Sequence, residues 1–432
     1  MKMKKTIALM TALALMAGTV GCSNSGGASD AASAGSAASG QAAAAGKKVE
    51  LELFMSKPET VDIIEKISAK FMQENPNVKI NVTSSSDGRT VLQTRLSANE
   101  VPDILNTFPA EDFYKEMFKE GFIQDISGQS YLNRVQDTYL KMSEYEGKYY
   151  AVPMSVSTYG IYVNKDVMQK GGIAATPSTW TELIDDCAAL KSKGITAFLF
   201  PNKDVGNIAQ RFERTVGIIN NNSSSEFKDI ADGKTKAQDS KTLKAWMDYN
   251  TELLKYANKD HMGMDYDAAV ASFSKGDAAM MMSGTWMLAT IKKDNPNANV
   301  ELTPFPNPTG EETKVPVNLD TSFSISATCK NKEMGEKFLE YVTRPEIAQM
   351  YCDVDGNVSL IQGVDYKVPE HQSMKKAVGD NKVFLTAVNF WPNGLREDIR
   401  PYCQEFLGSG DRSAFLESAG KSIKNIYESN SN

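Results

Sequence analysis

The residues best suited to chemistry in this 432-residue sequence are aromatic rings and polar side chains that follow predicted strands. Trp286 comes after the apolar run Met280 to Met282 and after the flexible Gly284, so we expect its indole ring to emerge at a strand end. Trp391 lies in the segment 389–393, just before a late helix. Such rings offer a ligand a large rigid surface with few rotatable bonds. The alternative for Trp286 is a place in the core, and the alternative for Trp391 is a place in the core or on the surface.

Polar side chains supply the second part of this chemistry, because Asp, Asn and Arg make paired, charge-assisted hydrogen bonds to neighbouring hydroxyl groups. Asn106 and Phe108 follow the strand that begins at Pro102. Loops at the carboxyl ends of strands form the binding crevice of open α/β sheets. The remaining candidates are Tyr159, Asp320, Asp87 and Arg89. Packing against another part of the fold is the alternative for Tyr159, and a solvated carboxylate is the alternative for Asp320.

Metal binding, covalent catalysis and nucleic-acid binding find little support in the composition. The two histidines, His261 and His371, lie far apart in the sequence, which argues against a histidine metal site and against a Ser-His-Asp triad. We therefore expect neither a metal nor a cofactor. The net charge of -7 is also the wrong sign for a protein that binds phosphate backbones, so we expect no nucleic-acid partner.

The cysteines leave two possibilities open. No C-x-x-C pair is present, which excludes thioredoxin-like and zinc-ribbon motifs. A disulfide between Cys352 and Cys403 is one possibility, since an exported protein meets an oxidising environment. Four buried free thiols, with Cys187 and Cys329 completing the set, are the other, because cysteine packs as a small apolar residue.

The first 46 residues predict export and a membrane anchor. A basic start precedes the apolar run Ile7 to Ala17, which is shorter than the ~20 residues of a membrane-spanning helix and is typical of a signal peptide over 1–21. The segment Thr19 to Cys22 resembles a bacterial lipobox, in which the cysteine is acylated; the alternative is an ordinary signal peptide that ends near a cysteine. Residues 22–46 then form a lipidated Cys22 and a disordered linker rich in Ser, Gly and Ala.

Strands and helices alternate along the rest of the chain. The segments Val49 to Phe54 and Val78 to Val82 are predicted strands, and the spacing of Ile63, Ile67 and Phe71 predicts a helix between them. The same order recurs further along, which predicts an α/β fold with mainly parallel sheets flanked by helices. A chain of this length suits two or three domains.

Several ordered segments together resemble the sugar-type solute-binding proteins of ABC importers, a family whose plan the maltose-binding protein shares. The segments are Pro102 to Ile104, Gly147 to Pro153, Gly160 to Asp166, Pro177 to Leu183, Phe273 to Trp286 and Lys332 to Tyr341. The resemblance implies a two-lobe periplasmic-binding-protein-like fold of type II, hinged at a central cleft. It places lobe 1 at 47–156 with 307–342, and lobe 2 at 157–306 with 343–432. The crossings between lobes then fall near 155–157, 306–308 and 343–345.

The resemblance also implies a function. The protein would be a membrane-anchored extracellular receptor that binds a carbohydrate in the cleft and delivers it to the permease subunits of an ABC importer. The expected carbohydrate is an oligosaccharide. It would be a monomer without enzymatic activity, lipid-anchored through Cys22 on the outer face of the cytoplasmic membrane of a Gram-positive bacterium. An extracellular glycosidase is the alternative, as is the same fold with a polyol, a peptide or an anion as its ligand.

Within that family an aromatic residue at the position of Trp286 commonly serves as a sugar platform, and Trp391 falls where a second platform or polar contact is often found. Two departures from the maltose-binding pattern argue against maltose as the ligand. Asn106-Thr107 replaces an aromatic residue, and Ser157 replaces a carboxylate near the first crossing.

Overall fold

Helices and strands alternate through a computed structural model that describes residues 48–85, 88–222 and 225–430. The predicted signal peptide, Cys22, the linker and Asp87 lie outside the described residues. The described residues all belong to one compact unit. Within the described ranges, none of the helices combines the length and the apolarity that crossing a bilayer requires.

The strands, numbered along the chain, are β1 (Val49–Met55), β2 (Val78–Ser84), β3 (Ile104–Thr107), β4 (Glu144–Tyr145), β5 (Lys148–Tyr149), β6 (Val152–Pro153), β7 (Ser155–Asn164), β8 (Thr196–Leu199), β9 (Ala278–Gly284), β10 (Val300–Thr303), β11 (Val315–Leu319), β12 (Ser322–Ile325), β13 (Val358–Ser359) and β14 (Val383–Leu385).

The helices are α1 (Val61–Glu74), α2 (Gly88–Ser97), α3 (Asp112–Lys119), α4 (Asp137–Met142), α5 (Lys165–Lys170), α6 (Trp180–Ser192), α7 (Val205–Ile219), α8 (Ser225–Ala231), α9 (Lys241–Leu254), α10 (Tyr266–Lys275), α11 (Met287–Asp294), α12 (Lys332–Val342), α13 (Pro345–Asp355), α14 (Gln372–Gly379), α15 (Leu395–Ser409) and α16 (Arg412–Asn430). Short 3-10 turns include Pro58–Thr60 and Ala387–Phe390.

Two sheets organise the chain, and the part built around each is called the first or the second lobe. The first sheet has the order β2-β1-β3-β12-β6, with β1, β2 and β3 parallel and with β12 and β6 antiparallel to their neighbours. Helices α1, α12 and α13 share an apolar cluster with one face of this sheet, and α2 and α3 cover the other. The predicted α/β fold of two lobes is confirmed.

The second sheet centres on β7, whose ten residues are all buried. Its order is β14-β11-β7-β9-β8, with β10 and β13 also pairing with β7. Strands β9, β10, β11 and β13 all run antiparallel to β7, while β8 and β14 are parallel to their own neighbours. This sheet is therefore mixed, with more antiparallel pairing than the sequence predicted, because chain segments return beside β7 in the opposite direction.

The chain passes between the sheets at three adjacent places. Pairing changes from the first sheet to the second between Pro153 and Ser155, and back again between Leu319 and Ser322. The backbone N–H of Asp320 donates to the carbonyl oxygen of Ser155 at 2.9 Å, so these two crossings run side by side. The third crossing follows α13, where β13 pairs with the start of β7.

These crossings differ from two of the predicted ones. Residues 306–308 precede β11, which still belongs to the second sheet, because Val317 pairs with Thr158. Residues 343–345 form the turn between α12 and α13, and both of these helices pack against α1 in the first lobe. The change of sheet therefore does not coincide with the predicted boundaries at 307 and 343. The boundaries of the lobes as moving bodies stay a prediction.

The four described cysteines are all free and buried. Cys352 and Cys403 lie in two different hydrophobic clusters of the core. The disulfide between them is therefore wrong, and the alternative of buried free thiols describes the fold. Burial raises the pKa of each thiol, which makes the reactive thiolate rarer.

Candidate functional site

A cleft separates the first lobe from the second and contains two cavities of about 300 and 450 Å³. The two cavities adjoin, because four residues line both of them: Glu111, Gln210, Arg214 and Asn318. The smaller cavity is bordered by Trp286 and Phe108, and the larger by Arg89, Arg396 and many other polar side chains. The cleft thus has an aromatic end and a strongly polar end.

Trp286 provides the exposed ring of this site. It lies two residues after the end of β9 and is the N-cap residue of α11, so the strand end places its backbone, as the sequence predicted. The side chain is 36% exposed and borders the smaller cavity. Its ring lies 6.2 Å from the ring of Tyr159 and 5.5 Å from the guanidinium carbon of Arg214. The indole is therefore held from behind by two groups while one surface stays open to the cleft.

Tyr159 lies behind this ring rather than in the open cleft. It is 1% exposed, and Arg214 stacks over its ring at 5.0 Å. Burial raises the pKa of its hydroxyl, so the phenol stays neutral. Among the described residues that hydroxyl has no hydrogen-bond partner. The position fits the alternative of packing between parts of the fold, with Tyr159 supporting Trp286.

Helix α7 was not predicted from the sequence. It carries the polar residues that line one wall of the cleft. Asp204 caps its start by accepting from the backbone N–H groups of Gly206 and Asn207. The apolar residues Ile208, Phe212, Val216 and Ile219 follow helical spacing and are buried. This cap and this spacing were the signal that could have revealed the helix.

Helix α7 presents a buried charge cluster to the cleft. Arg214 donates to Glu213 and to the carbonyl oxygen of Gln210, and the Nε of Arg396 lies 3.0 Å from Oε2 of Glu213. Burial raises the pKa of Glu213, against the attraction of both guanidinium groups, and lowers the pKa of Arg214. A buried ion pair of this kind gives little net stability but keeps its members in fixed positions. The cluster therefore serves as a rigid polar wall.

Glu111 faces this wall from the first lobe. It precedes α3 and lines both cavities, where the sequence reasoning had not identified it. Within the described residues, its carboxylate makes no hydrogen bond and no ion pair closer than 4 Å. Burial raises its pKa, while the charges of Arg89 and Arg396 act in the opposite direction. A desolvated carboxylate without donors is well suited to accept hydrogen bonds from a ligand.

Asp320 reaches the smaller cavity from the second crossing. Its carboxylate pairs with the buried Lys57 and its side chain is 16% exposed, so it is neither fully solvated nor fully buried. Arg89 borders the larger cavity, with its guanidinium carbon 5.0 Å from the ring centre of Phe113. Phe108 borders the smaller cavity beside Tyr114. Three predicted residues thus lie along the cleft together with Trp286.

Two predicted residues are used inside the fold instead. Asn106 is fully buried: its amide donates to the carbonyl oxygen of Ser322 at 3.3 Å and accepts from the hydroxyl of Ser56 at 2.9 Å. Trp391 is 4% exposed, and its ring stacks on Phe227. Its edge borders the larger cavity, but the face of the ring is occupied by the core.

The neighbouring Phe390 has the opposite environment. It is 50% exposed at the end of the 3-10 turn Ala387–Phe390. The backbone carbonyl of Asn389 accepts a hydrogen bond of 3.1 Å from Nζ of Lys115, which belongs to α3 in the first lobe. This turn is therefore a place where the two lobes meet beside the cleft.

The side chains that line the cleft are suited to non-covalent binding. An open indole ring suits the C–H face of a polyhydroxylated ring, and carboxylates and amides suit its hydroxyl groups. Throughout residues 48–85, 88–222 and 225–430, no three His, Cys, Asp or Glu side chains are arranged to hold a metal ion.

Two α/β lobes with a polar, aromatic cleft between them define a ligand-binding receptor. The family model for bacterial extracellular solute-binding proteins matches residues 57–349, and the chain belongs to that family. It is similar to the multiple sugar-binding protein of Streptococcus mutans, with 29% identity over 80% of this chain and 83% of that protein. It is also similar to the melibiose/raffinose/stachyose-binding protein MelE of Bacillus subtilis, with 25% identity over 58% and 59% of the two chains.

Solved structures give the same result. RafE in complex with raffinose matches with a TM-score of 0.77 and 25% identity, over 88% of this chain and all of that one. The apo form of RafE from Streptococcus pneumoniae matches with a TM-score of 0.76, also at 25% identity, over 88% and 98% of the two chains.

Proposed function

We propose that this protein is an extracellular receptor that binds a neutral oligosaccharide in the cleft and delivers it to the permease of an ABC importer. The observation that carries the proposal is the open ring of Trp286, which faces a cleft lined by the carboxylates of Glu111 and Asp320. The relatives named above as sugar-binding proteins support it. Arginines are present in the cleft, but Arg214 and Arg396 are already paired with Glu213, which favours a neutral ligand over an anion.

The protein acts, in this proposal, without making or breaking bonds in its ligand. It works as a monomer that is tethered to the outer face of the cytoplasmic membrane through a lipid on Cys22. Such an anchor suits a Gram-positive bacterium, where no outer membrane retains a free receptor. The lobes close on the sugar by bending at the crossings, and ligand stabilises the closed state by the difference in its affinity for the two states.

Isothermal titration tests the proposal directly. The purified chain is titrated with a panel that includes glucose, galactose, melibiose, raffinose, stachyose and maltotriose. We expect at least one oligosaccharide to bind with a dissociation constant near ~1 μM, about 8 kcal/mol. Chromatography of the recovered sugar should show it unchanged. No heat with any sugar would reject the carbohydrate assignment, and cleavage products would favour a glycosidase.

A matched pair of variants connects that binding to the cleft. Trp286→Ala removes the open ring, whereas Trp180→Ala alters a tryptophan on α6 that packs edge-on against Tyr249 and Phe305, away from the cleft. We expect loss of sugar binding only for Trp286→Ala. Equal affinities for the two variants would remove Trp286 from the binding site.

A further inference from the structure

A buried lysine lies directly behind the cleft. Lys57 follows β1 in the first lobe and is 8% exposed. Its ammonium group pairs with two carboxylates, those of Asp320 and Asp355, and the distance from Nζ to Oδ1 of Asp355 is 2.7 Å. Lys57 does not line either cavity of the cleft. A buried ammonium is costly unless it is paired, so this arrangement requires both partners.

The two carboxylates differ in what else they can do. Asp355 is 1% exposed and also accepts from the hydroxyl groups of Ser155, at 3.0 Å, and Tyr351, at 3.4 Å. Its hydrogen-bonding capacity is used within the fold. Asp320 borders the cleft, and among the described residues only its Oδ1 takes part in side-chain hydrogen bonds. Its Oδ2 is therefore available to a ligand.

The location of this cluster joins three parts of the chain. Asp320 lies in the second crossing, and its backbone N–H donates to Ser155 in the first. Asp355 is the last residue of α13, directly before the third crossing. Lys57 thus connects the first lobe to all three crossings, at the point where the carboxylate of Asp320 borders the cleft.

We propose that Lys57 is a positioning residue for the ligand: it fixes the carboxylate of Asp320 toward the cleft, Asp355 fixes Lys57, and neither of these two touches the sugar. The proposal deepens the proposed function and rests on it. A bare Asp320 could rotate into solvent at a hinge segment, and ordering it during binding would lower the affinity. Pairing with Lys57 sets its geometry before the ligand arrives.

A double-variant cycle on ligand affinity tests this role. Asp320→Asn and Lys57→Met are each titrated with the tightest-binding sugar of the panel, together with the variant that combines them. We expect about tenfold or greater loss for Asp320→Asn and about tenfold loss for Lys57→Met. The combined variant should bind about as weakly as Asp320→Asn alone, because Lys57 acts only through Asp320. A general structural role would instead make the two losses multiply.

A second variant covers the case in which Lys57→Met does not fold, since that change leaves Asp355 buried without its cation. Lys57→Met combined with Asp355→Asn removes the buried cation and the buried anion together and keeps Asp320. We expect this variant to fold and to bind about tenfold more weakly than the wild type. Unchanged affinity in either folded Lys57 variant, or multiplying losses in the cycle, would overturn the proposal. Absence of binding by the wild type would instead reject the proposed function, and the positioning role with it.

Discussion

Gly284 and Trp286 are in such close contact that no side chain fits between them: a Cβ on Gly284 would lie 2.0 Å from Cζ3 of the indole. The ring folds back over the end of its own strand, and this close approach lets it pack on Tyr159. The absence of a side chain at position 284 therefore sets the orientation of the ring in the cleft.

Gly284→Ala should accordingly displace the indole without removing it. We expect sugar affinity to fall about tenfold, or ~1.4 kcal/mol, because the ring loses its stacking position. Titration calorimetry measures the affinity, and tryptophan fluorescence reports the changed environment. Gly128→Ala is the matched control, since a Cβ at that position meets nothing within 4 Å. Wild-type affinity in Gly284→Ala would show that ring orientation does not matter.

Trp286 and Trp391 should respond to truncation in opposite ways. Trp286→Ala should abolish sugar binding and cost only about 1 kcal/mol of unfolding free energy, since the ring is partly exposed. Trp391→Ala should cost about 3–5 kcal/mol, because it empties a site packed against Phe212 and Phe227. Urea unfolding and calorimetry on both variants separate the two effects. Stable Trp391→Ala that has lost binding would make Trp391 the platform instead.

Glu111→Gln should weaken sugar binding and raise the free energy of unfolding. Burial raises the pKa of Glu111, so the folded state holds its proton more tightly than the unfolded chain, and ionisation above the ordinary pKa destabilises the fold. The amide carries no charge, and we expect the variant to be more stable by about 1 kcal/mol at pH 7. This gain should shrink as the pH falls below the ordinary glutamate pKa of ~4.3 and vanish near ~pH 3, where both states of the wild type are protonated.

Affinity is the second readout for that variant. An amide accepts hydrogen bonds less strongly than a carboxylate, so we expect sugar binding to weaken about tenfold. Glu116→Gln, an exposed change on α3, should alter neither property. A Glu111→Gln variant that is both less stable and fully active would contradict the position assigned to this carboxylate.

His371 makes the stability of the fold depend on pH. Its ring is fully buried between the hydroxyl groups of Tyr162 and Tyr366, at 2.7 and 2.8 Å, and burial lowers its pKa to about 4. The unfolded chain, with an ordinary histidine pKa near ~6.5, therefore binds the proton first. Stability is fully present above ~pH 7 and is lost as the pH falls toward 4.

Urea unfolding at two pH values measures this contribution. Between pH 7.5 and 4.5 the wild type should lose about 2–3 kcal/mol more unfolding free energy than His371→Gln, which does not titrate. The difference between the two proteins removes the shared contribution of the carboxylates. Parallel losses in both would show that His371 is not the group responsible.

The sequence predicted those features that depend on local pattern. Trp286 was placed at a strand end because an apolar run and a glycine precede it, and the structure has it there. Which of two adjacent aromatic residues is buried was harder to predict. Trp391 faces the core and Phe390 does not, because Trp391 packs on Phe212 and Phe227 from distant helices. Local pattern contains no information about such partners.

The buried charged residues of α7 could not be predicted from the sequence either. Helix α7 is buried on nearly all sides, so Arg211, Glu213 and Arg214 are buried as well, although a sequence pattern assigns charged side chains to the exposed face of a helix. The burial of Glu213 and Arg214 makes sense only beside Arg396 and the ring of Tyr159, which come from remote parts of the chain. Two of the three crossings could not be placed either, because pairing of β11 with β7 joins segments about 160 residues apart.

The most direct test of the central claim is a crystal structure of the protein with the tightest-binding oligosaccharide of the panel. We expect one sugar ring to stack on the indole of Trp286, with its hydroxyl groups within hydrogen-bonding distance of Glu111 and Asp320 and every glycosidic bond intact. A sugar bound elsewhere, with the surface of Trp286 left open to solvent, would contradict the account.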